Sequence, residues 1–149
     1  MVKHIIRIET KLKKQDFSDL EGSNDITRIE LMKILDRLST CLYLCSDDRM
    51  PLVIFRSLNW SIKYGICDYS PVVFATTGMM LTGVLGDLPA GTHFAEQAIA
   101  IMEKNGITST MPRTIFCAYA FVLPWTRPAA SVIKPLVKGY DAGLKSGYV

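Results

Sequence analysis

No charged residue occurs between Asp68 and Asp87. A gap of that length has two homes, the middle of a packed helical core or a bilayer. Pro71, Gly78, Gly83 and the hydroxyls of Ser70, Thr76, Thr77 and Thr82 interrupt its apolar run, and its flanks are acidic. Spanning helices carry Lys and Arg at their flanks instead, so a helix buried among other helices is the better reading and a membrane role is set aside. Ser70 supplies a capping hydroxyl and Pro71 suits a first turn, which predicts a helix from about Ser70 through Met80 to Leu85.

The segments on either side supply candidate neighbours. From Asn24 or Asp25, either of which can cap free N–H groups, Leu31, Ile34, Leu35, Leu38, Cys41, Leu42 and Cys45 recur three or four apart. Arg28, Glu30, Lys33 and Arg37 fall mostly on the other side, giving an amphipathic helix to about Cys45. The SDDRMP turn opens a second helix, Pro51 to Tyr64, with Gly65 as its stop. After GDLPAG, residues Thr92 to Lys104 place Phe94, Ala98, Ile101 and Met102 along one side, and Asn105-Gly106 ends that helix. Pro112 to Leu123 suits a short helix or a strand by composition, and its place in an alternating series favours helix. A last helix from about Arg127-Pro128 aligns Ile133, Leu136, Val137, Tyr140 and Leu144, with Pro135 kinking it or delaying its start.

Helix starts near 25, 70 and 112 recur at roughly forty-residue intervals, each opening a helix pair. The expected architecture is all-α, about three stacked pairs over residues 24–149 and part of a longer array, with residues 1–23 as an N-terminal linker or flexible segment. Expected turn positions are Gly65, Gly86, Asp87 and Gly106. Gly86 in particular should end a buried helix with a positive φ.

The chemistry-bearing residues are sparse. A formal net charge of +3, from 17 basic and 14 acidic residues, does not imply a nucleic-acid partner. Four cysteines without a dense framework, behind no signal peptide, point to a reducing, cytoplasmic setting. The GVLGDLPAG stretch lacks the lysine, the following hydroxyl and the preceding strand of a phosphate loop. His93 and Glu96 stand one helical turn apart but lack the further ligands of a metal site. Cys41 and Cys45, on the apolar face of the first helix, read as core, and Cys117 in FCAYAF as an inert buried thiol. No G-x-S-x-G occurs. The chain is therefore expected to carry no catalytic residue, cofactor or metal. Trp60, Phe74, Tyr119 and Trp125 are candidates to line a ligand or peptide groove, or else to fill the interfaces between helix pairs.

Two runs, LVIFRSLNWSIKYGICDYSPVVFATTGMMLTGVLGDLPAGTHFAEQAIAIMEK and RTIFCAYAFVLPWTRPAASVIKPLVKGYDAGLKSGYV, resemble the tetratricopeptide-like helical region of large multidomain signalling ATPases. These are predicted-ATPase serine/threonine kinases and hybrid sensor histidine kinases. The resemblance covers about Leu42 to the C-terminus and rests on SIKYG before a Ser-Pro helix start, GVLGD, FAEQAIAIMEK, and W-x-x-P with PLVKGYDAGLKSG. It implies a tetratricopeptide-like repeat array, a fragment of a protein in which kinase-like and ATPase domains precede the helices and a GAF sensor domain, often with a histidine kinase, follows. It carries over no catalytic residue, since the family's phosphate loop and phosphoacceptor histidine belong to those other domains. The implied role is a non-catalytic scaffold or regulatory module contacting other domains or a protein partner. The alternative is a small-molecule-binding helical sensor.

Overall fold

A computed structural model describes residues 15–147, which form helices and, as their one extended pairing, an isolated bridge between Gly22 and Ile66. The helices are α1 (Ile26–Leu44), α2 (Met50–Tyr64), α3 (Ser70–Gly83), α4 (Leu88–Lys104), α5 (Met111–Phe116) and α6 (Ala129–Ser146). The fold of the described residues is all-α.

The charge-free helix is central. α3 packs against α2, α4 and α5, and Val72, Phe74, Ala75, Thr77 and Leu81 have almost no exposure. Its hydroxyls are accommodated inside the helix, because Thr76 and Thr77 donate to carbonyls one turn back. The tightest contact is with α4. A Cβ on Gly78 would lie 2.7 Å from the Gly91 carbonyl oxygen, and one on Gly91 would lie 2.9 Å from the Gly78 oxygen and 2.0 Å from Thr82 Oγ1. Two helix backbones approach this closely only where side chains are missing on both.

That contact revises the reading of GDLPAG. α4 starts at Leu88 rather than Thr92, with Asp87 Oδ1 accepting from the Ala90 N–H at 3.0 Å and Pro89 in the first turn. Gly86, at φ 67°, has the left-handed backbone but lies in the turn three residues after α3 ends at Gly83, whereas Gly91 is already helical and serves packing. Gly65 ends α2 with φ 97°, and residues 21–23 pass so close that a Cβ there would meet the Glu21 oxygen at 2.6 Å. Gly106, at φ 61°, follows the end of α4.

The segment expected as one helix from Pro112 to Leu123 is divided. α5 widens into a π-helical turn over Cys117–Val122, in which the Leu123 N–H reaches back to the Ala118 oxygen, and closes as a 3-10 turn at Leu123–Trp125. Pro124 has no N–H to continue an α pattern, and the Trp125 indole nitrogen donates to the Phe121 carbonyl at 3.1 Å. Pro135 sits inside α6 and does not delay its start.

The two end helices are rotated relative to their apolar stripes. In α1 the buried positions are Met32 and Asp36, while Leu31, Ile34 and Leu38 are exposed and Cys41 and Cys45 lie at the surface instead of in the core. In α6 the buried positions are Val132, Gly139 and Gly143, and Ile133, Val137, Tyr140 and Leu144 face outward. Close approach again sets the choice in α6, where a Cβ on Gly139 would fall 2.7 Å from Ile115 Cγ2.

Of the expected linker over 1–23, residues 15–23 lie within the described range and are held against the helices at a few points. Ile66 N–H donates to the Glu21 oxygen at 2.8 Å, Ser23 N–H donates to the Ile66 oxygen at 2.7 Å, and Phe17 is completely buried.

The three turn-region glycines should respond to substitution in a graded way. Gly91→Ala should cost about 2 kcal/mol or more through overpacking. Gly86→Val should cost about 1–2 kcal/mol through its left-handed backbone, and Gly83→Val, with open space around it, should be close to neutral. Urea denaturation of the three variants checks the order; equal losses would contradict it.

Candidate functional site

The residues with catalytic potential are engaged in structural contacts. His93 Nε2 lies 3.1 Å from the Gln15 carbonyl oxygen, and Glu96 Oε1 accepts from Arg127 Nη2 at 2.6 Å. Among the described residues, no group of three or more His, Cys, Asp or Glu side chains is placed to share a metal ion. Burial pushes the Cys117 thiol up to about 11 from an ordinary 9.0, with Arg113 opposing the shift and Asp36 adding to it. A thiol so raised stays protonated and is not a nucleophile near neutral pH.

The four aromatics expected to line one groove are dispersed. Phe74 is in the core, in ring contact with Phe17 at 5.2 Å and Phe94 at 5.9 Å. Trp60 lies on α2 beside Tyr64, under the Arg56 guanidinium, and lines a shallow pocket with Met32 and Ile29 of α1. Tyr119 lines a separate groove of about 390 Å3 with Met102, Ile107, Met111, Lys134 and Lys138. Trp125 is 70% exposed and caps the π turn. Phe74 and Trp125 thus do other work than lining a shared groove, because α3 is enclosed on all sides and Pro124 turns Trp125 outward. The expected turn residues Gly65, Gly86, Asp87 and Gly106 occupy turns and a helix cap, away from any chemistry.

What the fold does bring together is a buried ion pair. Asp36 is 4% exposed, and its Oδ2 accepts from Arg113 Nη1 at 2.5 Å. Arg113 Nη2 also donates to Thr40 Oγ1 at 3.0 Å, and that hydroxyl in turn donates to the Asp36 carbonyl at 3.1 Å. The cluster joins α1 to α5 across residues far apart in sequence. Its signal was faint: Asp36 stands beside Arg37 and four residues before Thr40 in α1, but nothing local names Arg113 as partner.

A second assembly is formed by the N-terminal segment on α4. Phe17 stacks against Phe94 at 6.0 Å and meets Phe74 edge-on, and its N–H donates to Gln97 Oε1 at 2.7 Å. Asp19 pairs with Lys104 at 2.5 Å. Gln97 and Phe17 were missed because one reads as a solvated helix position and the other as a lone aromatic in a charged stretch.

The two outer stripes complete the surface inventory. Ile34 on α1 is 60% exposed, Ile133 on α6 is 58% exposed, and each stripe continues for several turns. Isolated exposed apolar residues are ordinary, and these two stripes differ from them in running along one side of a helix. No helix of the described residues is long and apolar enough to cross a membrane. No protein-family model, curated protein or solved structure matches the chain.

Two measurements follow. Asp36→Leu should destabilise the chain by about 3 kcal/mol, because it removes the buried carboxylate that balances the Arg113 charge, and adding Arg113→Met should recover most of the loss; a double-mutant cycle by urea denaturation reads both. With iodoacetamide at pH 8, Cys41 and Cys45 should alkylate readily while Cys67 and Cys117 stay protected, as read by peptide mass spectrometry. The neutral Cys117 thiol also implies stability that is present below an ordinary thiol pKa of 9.0 and is lost as pH rises through about 11.

Proposed function

We propose that this chain is a non-catalytic, tetratricopeptide-like helical-repeat scaffold or regulatory module of a cytoplasmic multidomain signalling ATPase or kinase. It makes interdomain or protein–protein contacts. The observation that carries this reading is the outward apolar stripe on each end helix, besides the side by which Met32 of α1 and Val132 of α6 pack inward. A helix at the end of a self-contained bundle needs one apolar face; a helix inside a stack needs two. The packing order supports the same reading, since each helix contacts its neighbours in sequence and α3 also contacts α5, the opening helix of the next pair. The engaged state of His93, Glu96 and Cys117 supports a role without catalysis.

A second reading, a small-molecule sensor, is favoured by the groove containing Tyr119, whose volume of about 390 Å3 is in the range of ligand pockets. The two readings separate experimentally. On the scaffold reading, Ile133→Glu with Val137→Glu should change folding stability by less than about 0.5 kcal/mol, because both side chains are largely solvated. The same pair should abolish crosslinking of α6 to adjoining domains in the longer protein. The purified chain should not turn over ATP. Robust hydrolysis abolished by a substitution within this chain would overturn the scaffold reading, and a metabolite that raises the thermal midpoint of wild type but not of Tyr119→Ala would favour the sensor.

A further inference from the structure

We propose that α4 carries a peptide-binding face, occupied in this chain by its own residues 15–20, that takes a partner segment with an aromatic anchor followed two residues later by an acid. The occupant is on view. Phe17 is fully buried while Gln15, Asp16 and Asp19 on either side of it are exposed, so Phe17 is the one side chain of the segment that is inserted completely. The anchor site is aromatic on two sides, with Phe74 edge-on at 5.2 Å and Phe94 stacked at 6.0 Å, and His93 closes it at 6.4 Å.

The main chain around the anchor is held by side chains of the helix. Gln97 accepts the Phe17 N–H at 2.7 Å, and His93 Nε2 meets the Gln15 oxygen at 3.1 Å, where only a protonated nitrogen can donate. Lys104 takes the Asp19 carboxylate at 2.5 Å. His93, Gln97 and Lys104 stand four and seven residues apart, which puts them on one stripe of α4, and they meet residues 15, 17 and 19 in the same order. Grips on backbone atoms do not depend on the bound sequence, whereas the aromatic site and Lys104 do; together they read a short pattern, not a unique protein. Leu20 completes that pattern, because its N–H closes a turn onto the Phe17 oxygen at 3.3 Å and its side chain rests against the core.

The segment is joined to α1 through residues 21–25, in which Glu21 and Ser23 are hydrogen-bonded to Ile66 and Asn24 and Asp25 are exposed, a tether short enough to give the cis occupant a high effective concentration. A partner segment must therefore compete with it, which makes residues 15–20 a gate on the face. The proposal specifies one kind of partner for the contact-forming role proposed above and uses a different surface from the outer stripes of α1 and α6.

The test cuts the tether in the folded, full-length chain. A protease site inserted after Asn24 is cleaved, and a fluorescent peptide of residues 15–24 is added while circular dichroism follows the helices. The labelled peptide should exchange into the nicked chain with helical content unchanged, bind the uncut chain at least tenfold more weakly, and lose at least tenfold in affinity as its Phe17→Ala form. An Asp19→Lys peptide should bind several-fold more weakly, with the difference shrinking in high salt. Helices lost once the segment dissociates, no entry of the labelled peptide, or equal entry of the Phe17→Ala peptide would each overturn the proposal. Those failures would leave the scaffold reading standing, since that reading is tested at Ile133 and Val137.

Discussion

The structure depends on the crossing of α3 and α4, where Gly78 and Gly91 let two backbones come closer than any side chain allows. Everything near that crossing follows from it. Thr82 is pressed against Gly91, and its hydroxyl is the buried side-chain oxygen without a hydrogen-bond partner among the described residues. Phe94, one turn beyond Gly91, is brought against Phe74, and the two rings form the floor on which Phe17 rests. The apolar stretch that resembled a membrane segment in composition is instead enclosed by three other helices, so its hydrophobic surface is removed from water by protein.

A second constraint acts at the first and last helices. Once Asp36 is paired with Arg113, α1 cannot turn its Leu31, Ile34 and Leu38 stripe inward without carrying Asp36 out to solvent and taking that carboxylate away from the largely buried Arg113 guanidinium. The ion pair therefore fixes the rotation of α1 and leaves an apolar face outward. In α6 the same outcome arises from Gly139 against Ile115, since the helix can seat closely only on its glycine side. Charge pairing in one case and close packing in the other leave an outward apolar stripe on both the first and the last helix.

The helices themselves were legible in the sequence because their punctuation is local. Asp25 caps α1, Pro51 and Pro71 sit in first turns, and Gly65, Gly86 and Gly106 take positive φ after helices. Gly91 was misplaced by the same logic, since a glycine that serves a helix crossing looks identical to one that serves a turn until the facing helix is known. The π turn at Cys117–Val122 was also beyond reach, because an apolar run followed by Pro124 is compatible with several helical windings. The candidate site fared worse: Tyr119 lines a groove, but Phe74 and Trp125 serve the core and a turn, and Phe17 and Gln97 carry a surface that no spacing announced.

By itself the sequence determined an all-α chain, the order and approximate limits of its helices, and the central place of the charge-free one. These follow from hydrophobic periodicity and from capping chemistry, which act over a few residues. Only the tertiary structure decided which face of α1 and α6 turns inward, where Gly91 belongs, and that residues 15–20 are seated on α4. Each of those depends on a partner tens of residues away, Arg113 for Asp36, Gly78 for Gly91 and Gln97 for Phe17, and a long-range pair leaves no periodic mark on either strand of the sequence it joins.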